Sequence, residues 1–128
     1  MSIDFLPYAQ DAECTLRCLP AAPDDHDAFS MNVANTNAVD LMLALGLTPE
    51  PVGTPMPIDA FAGLVTAALR RHLGRRSPAL GPIAEPGHDG STIIHLGRRE
   101  GYIEERLGAL ARLIQRSRAA GATHFGWS

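Results

Sequence analysis

"GYIEERLGALARLIQRSRAAGATHFGW", residues 101–127, decides the fold class, because one hydrophobic period gives way to another within it. Ile103, Leu107, Leu110, Ala111 and Ile114 recur at three- and four-residue steps, the stripe of an amphipathic helix. Glu100, Glu104 and Glu105 stand at its positive end, and Arg112, Arg116 and Arg118 toward its negative end, so the charges complement the helix dipole. The spacing predicts a helix over 102–120, ended by Gly121. Thr123, Phe125 and Trp127 then alternate with His124 and Gly126, the period of a strand.

Working toward the N-terminus, "STIIHLG" (91–97) reads as another strand, with Thr92, Ile94 and Leu96 on one face and Ile93 and His95 on the other. A strand, a helix and a strand with short connections predict a right-handed crossover and a parallel pair. The stretch 75–90 is long and irregular, with Leu80 and Ile83 placed to pin it to the body. Before it, Phe61, Leu64, Val65 and Ala68 mark a second helix that Asp59 can cap, with Arg70, Arg71 and His72 at its end. "TPEPVGTPMP" (48–57) holds four prolines and reads as a stiff extended connection.

The first half alternates early. In "ECTLRCL" (13–19) Cys14, Leu16 and Cys18 share one face of a strand, and Phe29, Met31 and Val33 mark a second; a hairpin of the two follows, with 20–27 as its loop. In "MNVANTNAVDLMLALGL" (31–47) Ala38, Leu41, Met42 and Leu45 form a helical stripe. Asn35 or Asn37 is placed to cap it, Asp40 suits its first turn, and Asn32 lies on the polar face of the preceding strand. Gly46 and Leu47 fit a Schellman ending. The alternative for Asn32, Asn35 and Asn37 is an amide-lined ligand site.

These elements predict one α+β domain over 1–128: a two-layer sandwich, with a mixed sheet of about four strands and three helices mainly on one face. The chain of 128 residues is 45% hydrophobic with a net charge of −3, ordinary for a globular protein. No apolar run is long enough for a membrane span, and the N-terminus lacks the basic and apolar stretches of a signal peptide, so the expected compartment is the cytoplasm. Nine acids and one base fill residues 1–64, whereas five acids and ten arginines fill 65–128. The absence of lysine reads as codon bias in a GC-rich genome. Overall acidity disfavours nucleic-acid binding. With the second and last helices side by side, Arg70, Arg71, Arg75, Arg76, Arg112 and Arg116 can gather into a basic patch for an acidic protein; the alternative is local balancing by carboxylates.

"NVANTNAVDLMLALGL" together with "GRREGYIEERLGALARLI" resembles a family of small uncharacterised bacterial proteins. In these an Asn-rich turn opens a helix ending in Leu-Gly-Leu, and a Gly-Arg to Gly-Tyr turn opens a C-terminal helix. The resemblance implies a small bacterial protein and no particular activity.

Chemistry-bearing residues are sparse. On a strand, Cys14 and Cys18 stand roughly 13 Å apart, too far for a shared metal or a disulfide, which predicts two buried, reduced thiols. No histidine pair has zinc-site spacing and no nucleophile elbow is present. "HLGRREG" (95–101) is the most suggestive segment: a turn at a helix start, where Arg98 and Arg99 can fork onto an anion. His95 and His124, both on predicted strands, can join them as sheet neighbours. The leading expectation is a small non-catalytic binding or interaction protein, inhibitory or immunity-like. It needs no cofactor or metal, and its partner is an acidic protein or a second copy. The alternative is a small enzyme or anion-binding protein using Arg98, Arg99, His95 and His124.

Overall fold

The computed structural model describes residues 2–19, 29–95 and 97–128. Its elements are β1 (Ser2–Gln10), β2 (Leu16–Cys18), β3 (Met31–Ala34), α1 (Asn35–Ala44), β4 (Gly53–Pro57), α2 (Ile58–Arg71), β5 (Ile83–Pro86), β6 (Thr92–His95), α3 (Tyr102–Ala119) and β7 (His124–Trp127). The protein is α+β: a five-stranded sheet with three helices, plus a separate two-stranded ribbon. Every pairing among the described residues is antiparallel, in place of the mixed sheet expected. The crossover rule presumes that both strands join one sheet, and among the described strands β6 pairs with β5 alone.

The sheet is organised by β1. One of its edges takes β7, with Phe5 opposite Trp127 and Tyr8 opposite His124. Its other edge takes two short strands end to end: β3 along Ser2–Phe5 and β2 along Tyr8–Gln10. The expected hairpin of β2 with β3 is therefore replaced by two separate pairings to β1; its loop, 20–27, lies outside the described residues. Pro7 sits in β1 where that edge passes from β3 to β2. Its carbonyl accepts the Leu19 N–H at 3.0 Å on this side, so its missing N–H falls at the seam between two strands and costs no ladder bond. The Pro-rich connection becomes β4, an edge strand beside β7 with a register shift between Gly53 and Met56. Edges and bulges are where prolines are tolerated.

Alternation sorts the sheet. Ile3, Phe5, Met31, Val33, Phe125 and Trp127 join one core with Leu41, Met42, Leu45, Phe61, Val65, Ile103, Leu107, Leu110 and Ile114 from the helices. Phe61 of α2 stacks on Phe125 with centroids 4.7 Å apart and lies 6.1 Å from Phe5. The open face carries Asp4, Asn32, Tyr8 and His124.

Helix ends divide the expectations. Gly46 (φ 78) follows the C-cap of α1; Gly46 N–H donates to Leu43 O and Leu47 N–H to Met42 O, a Schellman motif as expected. Gly121 (φ 95) ends α3 the same way, with Ala122 N–H donating to Ser117 O. The N-caps differ from expectation. Ala34 occupies the cap of α1, with no side-chain cap bond, and Asn35 is already its first residue. Pro57 holds the cap of α2, which leaves Asp59 inside the first turn. Packing of β3 runs straight into α1 and leaves no turn for a capping side chain.

Candidate functional site

Arg98 was one of four residues proposed to bind an anion, and its surroundings show another task. Its backbone N–H and C=O exchange bonds of 2.8 Å with Leu80, closing the base of the β5–β6 ribbon. A Cβ on Gly97 would overlap the Leu80 carbonyl, so only glycine allows this approach. The Arg98 guanidinium turns inward, its side chain 8% exposed, and donates to Asp40 Oδ2 at 2.6 Å and to Asn37 Oδ1 at 3.4 Å. Asn37 and Asp40 lie one turn apart on α1, where they share a face. Arg98 thus roots the ribbon on α1, and its buried Nε makes no hydrogen bond to protein.

The other anion-site residues disperse. Arg99 is exposed and paired with Glu105, whose carboxylate holds the guanidinium pKa up while Arg99 holds the Glu105 carboxyl down. His95 closes the ribbon opposite Ile83. His124 sits in the main sheet with Nδ1 3.0 Å from Thr123 Oγ1, so the two histidines belong to different sheets. Of the asparagines, Asn32 bridges to Asp4 Oδ1 at 2.9 Å and Ser2 Oγ at 3.2 Å on the open face of the sheet, while Asn37 faces Arg98. Asn32 and Asn37 therefore bond to different elements, β1 and the ribbon base.

The arginines of α2 and α3 are separated by helix direction. Asp59, at the start of α2, pairs with Arg118 at the end of α3; His72, after the end of α2, has Nδ1 3.6 Å from Glu104 at the start of α3. The helices are therefore antiparallel, and each basic end meets the other's acidic start. Arg70, Arg71, Arg75 and Arg76 lie at one end of the pair and Arg116 about 18 Å along it, from the helical rise over 104–116. Arg71 Nη2 is turned to the last carbonyl of α1, Ala44 O, at 2.7 Å. Arg116 therefore stands apart from the four arginines at the other end. Two ion pairs, Arg98–Asp40 and Arg118–Asp59, join the acidic half of the sequence to the basic half.

Ser77 and Glu104 make a second polar cluster. Ser77 Oγ accepts the Ile103 N–H at 3.2 Å, capping α3 from outside the helix, and donates to Glu104 Oε2 at 2.7 Å. Burial pushes the Glu104 carboxyl up, but the bonds from Ser77, with a smaller one from His72, outweigh it and leave the pKa lowered. The serine bonds the carboxylate and not an imidazole, and through Ile103 N–H it caps the helix.

The cysteines are both free and exposed, not buried. Cys14 lies in the β1–β2 turn with φ 59, outside the strand. Cys18 lies beside Tyr8; burial pushes the Cys18 thiol up, and burial followed by Cys18 pushes the Tyr8 phenol up. The described residues hold no cluster of three or more metal-ligating side chains, and none of the described helices is long and apolar enough to cross a membrane.

The feature missed in the sequence is the ribbon itself. Ile83, Ile93 and Ile94 are 63%, 45% and 60% exposed, and Leu80 at its base is 42% exposed, against the expectation that Leu80 and Ile83 pin the segment to the body. Ile83 and Ile93 share one face with Glu85, and Ile94 lies on the other with Ala84. A β-branched strand announces pairing but not whether its faces are covered. In comparisons with known proteins, the chain matches no family model, no curated protein and no solved structure.

Proposed function

We propose that this chain is a small cytoplasmic, non-catalytic interaction protein that docks through the β5–β6 ribbon. The observation that carries this reading is the exposure of Ile83, Ile93 and Ile94 on an eight-residue ribbon that stands apart from the main sheet. Fully burying one such side chain is worth about 1.5–3 kcal/mol, and folding leaves roughly half of that gain unused at three neighbouring positions. Apolar side chains clustered on an element held out from the body suit a docking surface. The ribbon is also rooted, through Arg98 on Asp40 and Asn37, which presents it in a defined direction. Two exposed free thiols suit a reducing compartment.

Catalysis has less support. Arg98 and Arg99 are engaged by Asp40 and Glu105, and His95 and His124 belong to separate sheets. Recognition through the ribbon is apolar, so it does not depend on an acidic partner. An inhibitory or immunity-like role fits a small protein with one projecting element. The test is the triple variant Ile83→Ser/Ile93→Ser/Ile94→Ser, compared with the parent chain for association with itself and with proteins of its own cell. Binding by the parent that the variant loses, at unchanged melting temperature, supports the reading. Equal binding by both, or none by either, overturns it.

A further inference from the structure

We infer that the ribbon's partner is a second copy of this chain, added through the free edge of β6 so that two ribbons join into one four-stranded antiparallel sheet, β5–β6–β6–β5. This rests on the reading of the ribbon as the docking element and names its occupant.

The two edges of the ribbon differ. The β5 side follows Pro82 and carries Glu85 and Pro86, and proline and charge are the means by which edges are kept from pairing. The β6 side, from Gly90 to Gly97, contains no proline and no Asp, Glu or Arg, and its centre is Thr92, Ile93 and Ile94. Neither strand pairs with any other described strand. A two-stranded ribbon is marginal in water, and three or more strands are needed for independent stability. One edge is blocked and the other is left open.

Charge selects the occupant. β6 itself carries no Asp, Glu, Lys or Arg, so an incoming acidic or basic segment finds no such counter-charge on the strand it joins. A second β6 brings no Asp, Glu, Lys or Arg, so like-to-like apposition sets none of these charges against its own kind. Pairing β5 with its mate would set Glu85 near Glu85. A two-fold axis normal to the ribbon makes the pairing antiparallel and closed. It sets Ile93 or Ile94 against its own mate at the axis, with the other isoleucines diagonal to it. The joined edge is short: four residues of strand span about 13 Å. Such a contact buries well below the roughly 1,200 Å² of a stable interface, so the dimer is weak and reversible, with a dissociation constant on the order of tens of micromolar or higher.

The experiment is sedimentation of the full chain across about 1 to 500 µM, with amide hydrogen exchange at both ends of that range. Expected are a monomer–dimer equilibrium and slower exchange of the β6 amides at high concentration, larger than any change on β5. The variant Ile93→Lys/Ile94→Lys, altered only at exposed positions, should weaken dimerisation at least about tenfold through like charges at the axis. A chain that is monomeric throughout, with β6 exchange independent of concentration, overturns the inference. A dimer that survives the double lysine variant also overturns it. The exchange result uses the unaltered chain and stands whether or not the variant folds. A monomer that binds a different protein through the ribbon defeats the second copy and leaves the docking role intact; no ribbon-dependent binding of any kind defeats both.

Discussion

Cys14 and Gly90 occupy the same left-handed position in two turns with the same bonding pattern. In the β1–β2 turn, Cys14 N–H donates to Asp11 O and Asp11 N–H to Thr15 O; in the β5–β6 turn, Gly90 N–H donates to Gly87 O and Gly87 N–H to Ser91 O. Their φ values are 59 and 83. Each is a three-residue hairpin loop whose last position is left-handed, which favours glycine. Asp11 keeps the first turn together in spite of its cysteine. Its carboxylate accepts from Arg17 Nε at 2.7 Å and from the Glu13 and Thr15 N–H groups at 2.9 Å, and these bonds, Arg17 first, hold its pKa down.

Cys14→Gly should therefore raise stability. The left-handed penalty of about 1–2 kcal/mol is removed, and the greater freedom of glycine in the unfolded chain returns roughly 0.5–1 kcal/mol of it. The net gain is up to about 1.5 kcal/mol, read from the urea midpoint, whereas Cys14→Val should destabilise. A lower midpoint for the glycine variant would show that the thiol makes a contact worth more than the backbone strain.

The Arg98–Asp40 pair should respond unequally to its two deletions. The Arg98 side chain is 8% exposed and that of Asp40 39%. Arg98→Met strands a carboxylate that water can reach, at a cost of about 1 kcal/mol. Asp40→Ala strands a buried guanidinium whose Nε already lacks a partner, and such losses run to about 3–5 kcal/mol for fully buried pairs. Asp40→Ala should therefore be the worse variant, and it should speed amide exchange across 80–98 by loosening the ribbon's root. Equal losses would mean that Arg98 is hydrated through the ribbon base.

Ser77 and Glu104 predict an acid limb of stability. The Glu104 pKa is lowered from its ordinary 4.5. Its contribution is thus complete above about that value and is lost as pH falls through the lower folded value. Ser77→Ala removes the cap on Ile103 and the bond to the carboxylate, costing about 0.5–2 kcal/mol at neutral pH. It should also flatten the decline below pH 4.5, as seen in melting temperatures at stepped pH. A decline as steep as in the parent chain would place the acid sensitivity in other carboxylates.

The parts of the fold that could be read from the sequence are those where a single period and its end signals agree. α3, β7, the stripe of α2 and the Gly46 ending all met that condition. β1 did not, because Leu6 on the open face is buried as well as Ile3 and Phe5 on the core face, which breaks the alternation, and Pro7 argues against a central strand. Only the seam between β2 and β3 makes that proline acceptable, and a seam is a property of three strands together. The candidate site was less legible still. Arg98 stood out as a cation at a helix start, but its partners Asn37 and Asp40 lie about sixty residues earlier, and local spacing carries no trace of them.

The thiols give the last prediction, and it reverses the expectation of inert cysteines. Both are exposed, so both should react with a disulfide reagent in the folded protein, without denaturant. Cys18 faces Tyr8 across the β1–β2 pair, and burial raises its thiol pKa above the ordinary 9.0. Because the thiolate is the nucleophile, the Cys18 rate should keep climbing with pH beyond that value. Single variants Cys14→Ser and Cys18→Ser separate the two rates. Tyr8→Ala should speed Cys18, since removing the ring opposite it opens the sulfur to water. Protection of both thiols until the protein unfolds would mean that the β1–β2 hairpin is covered, and the open face of the sheet beside it would then be an interface.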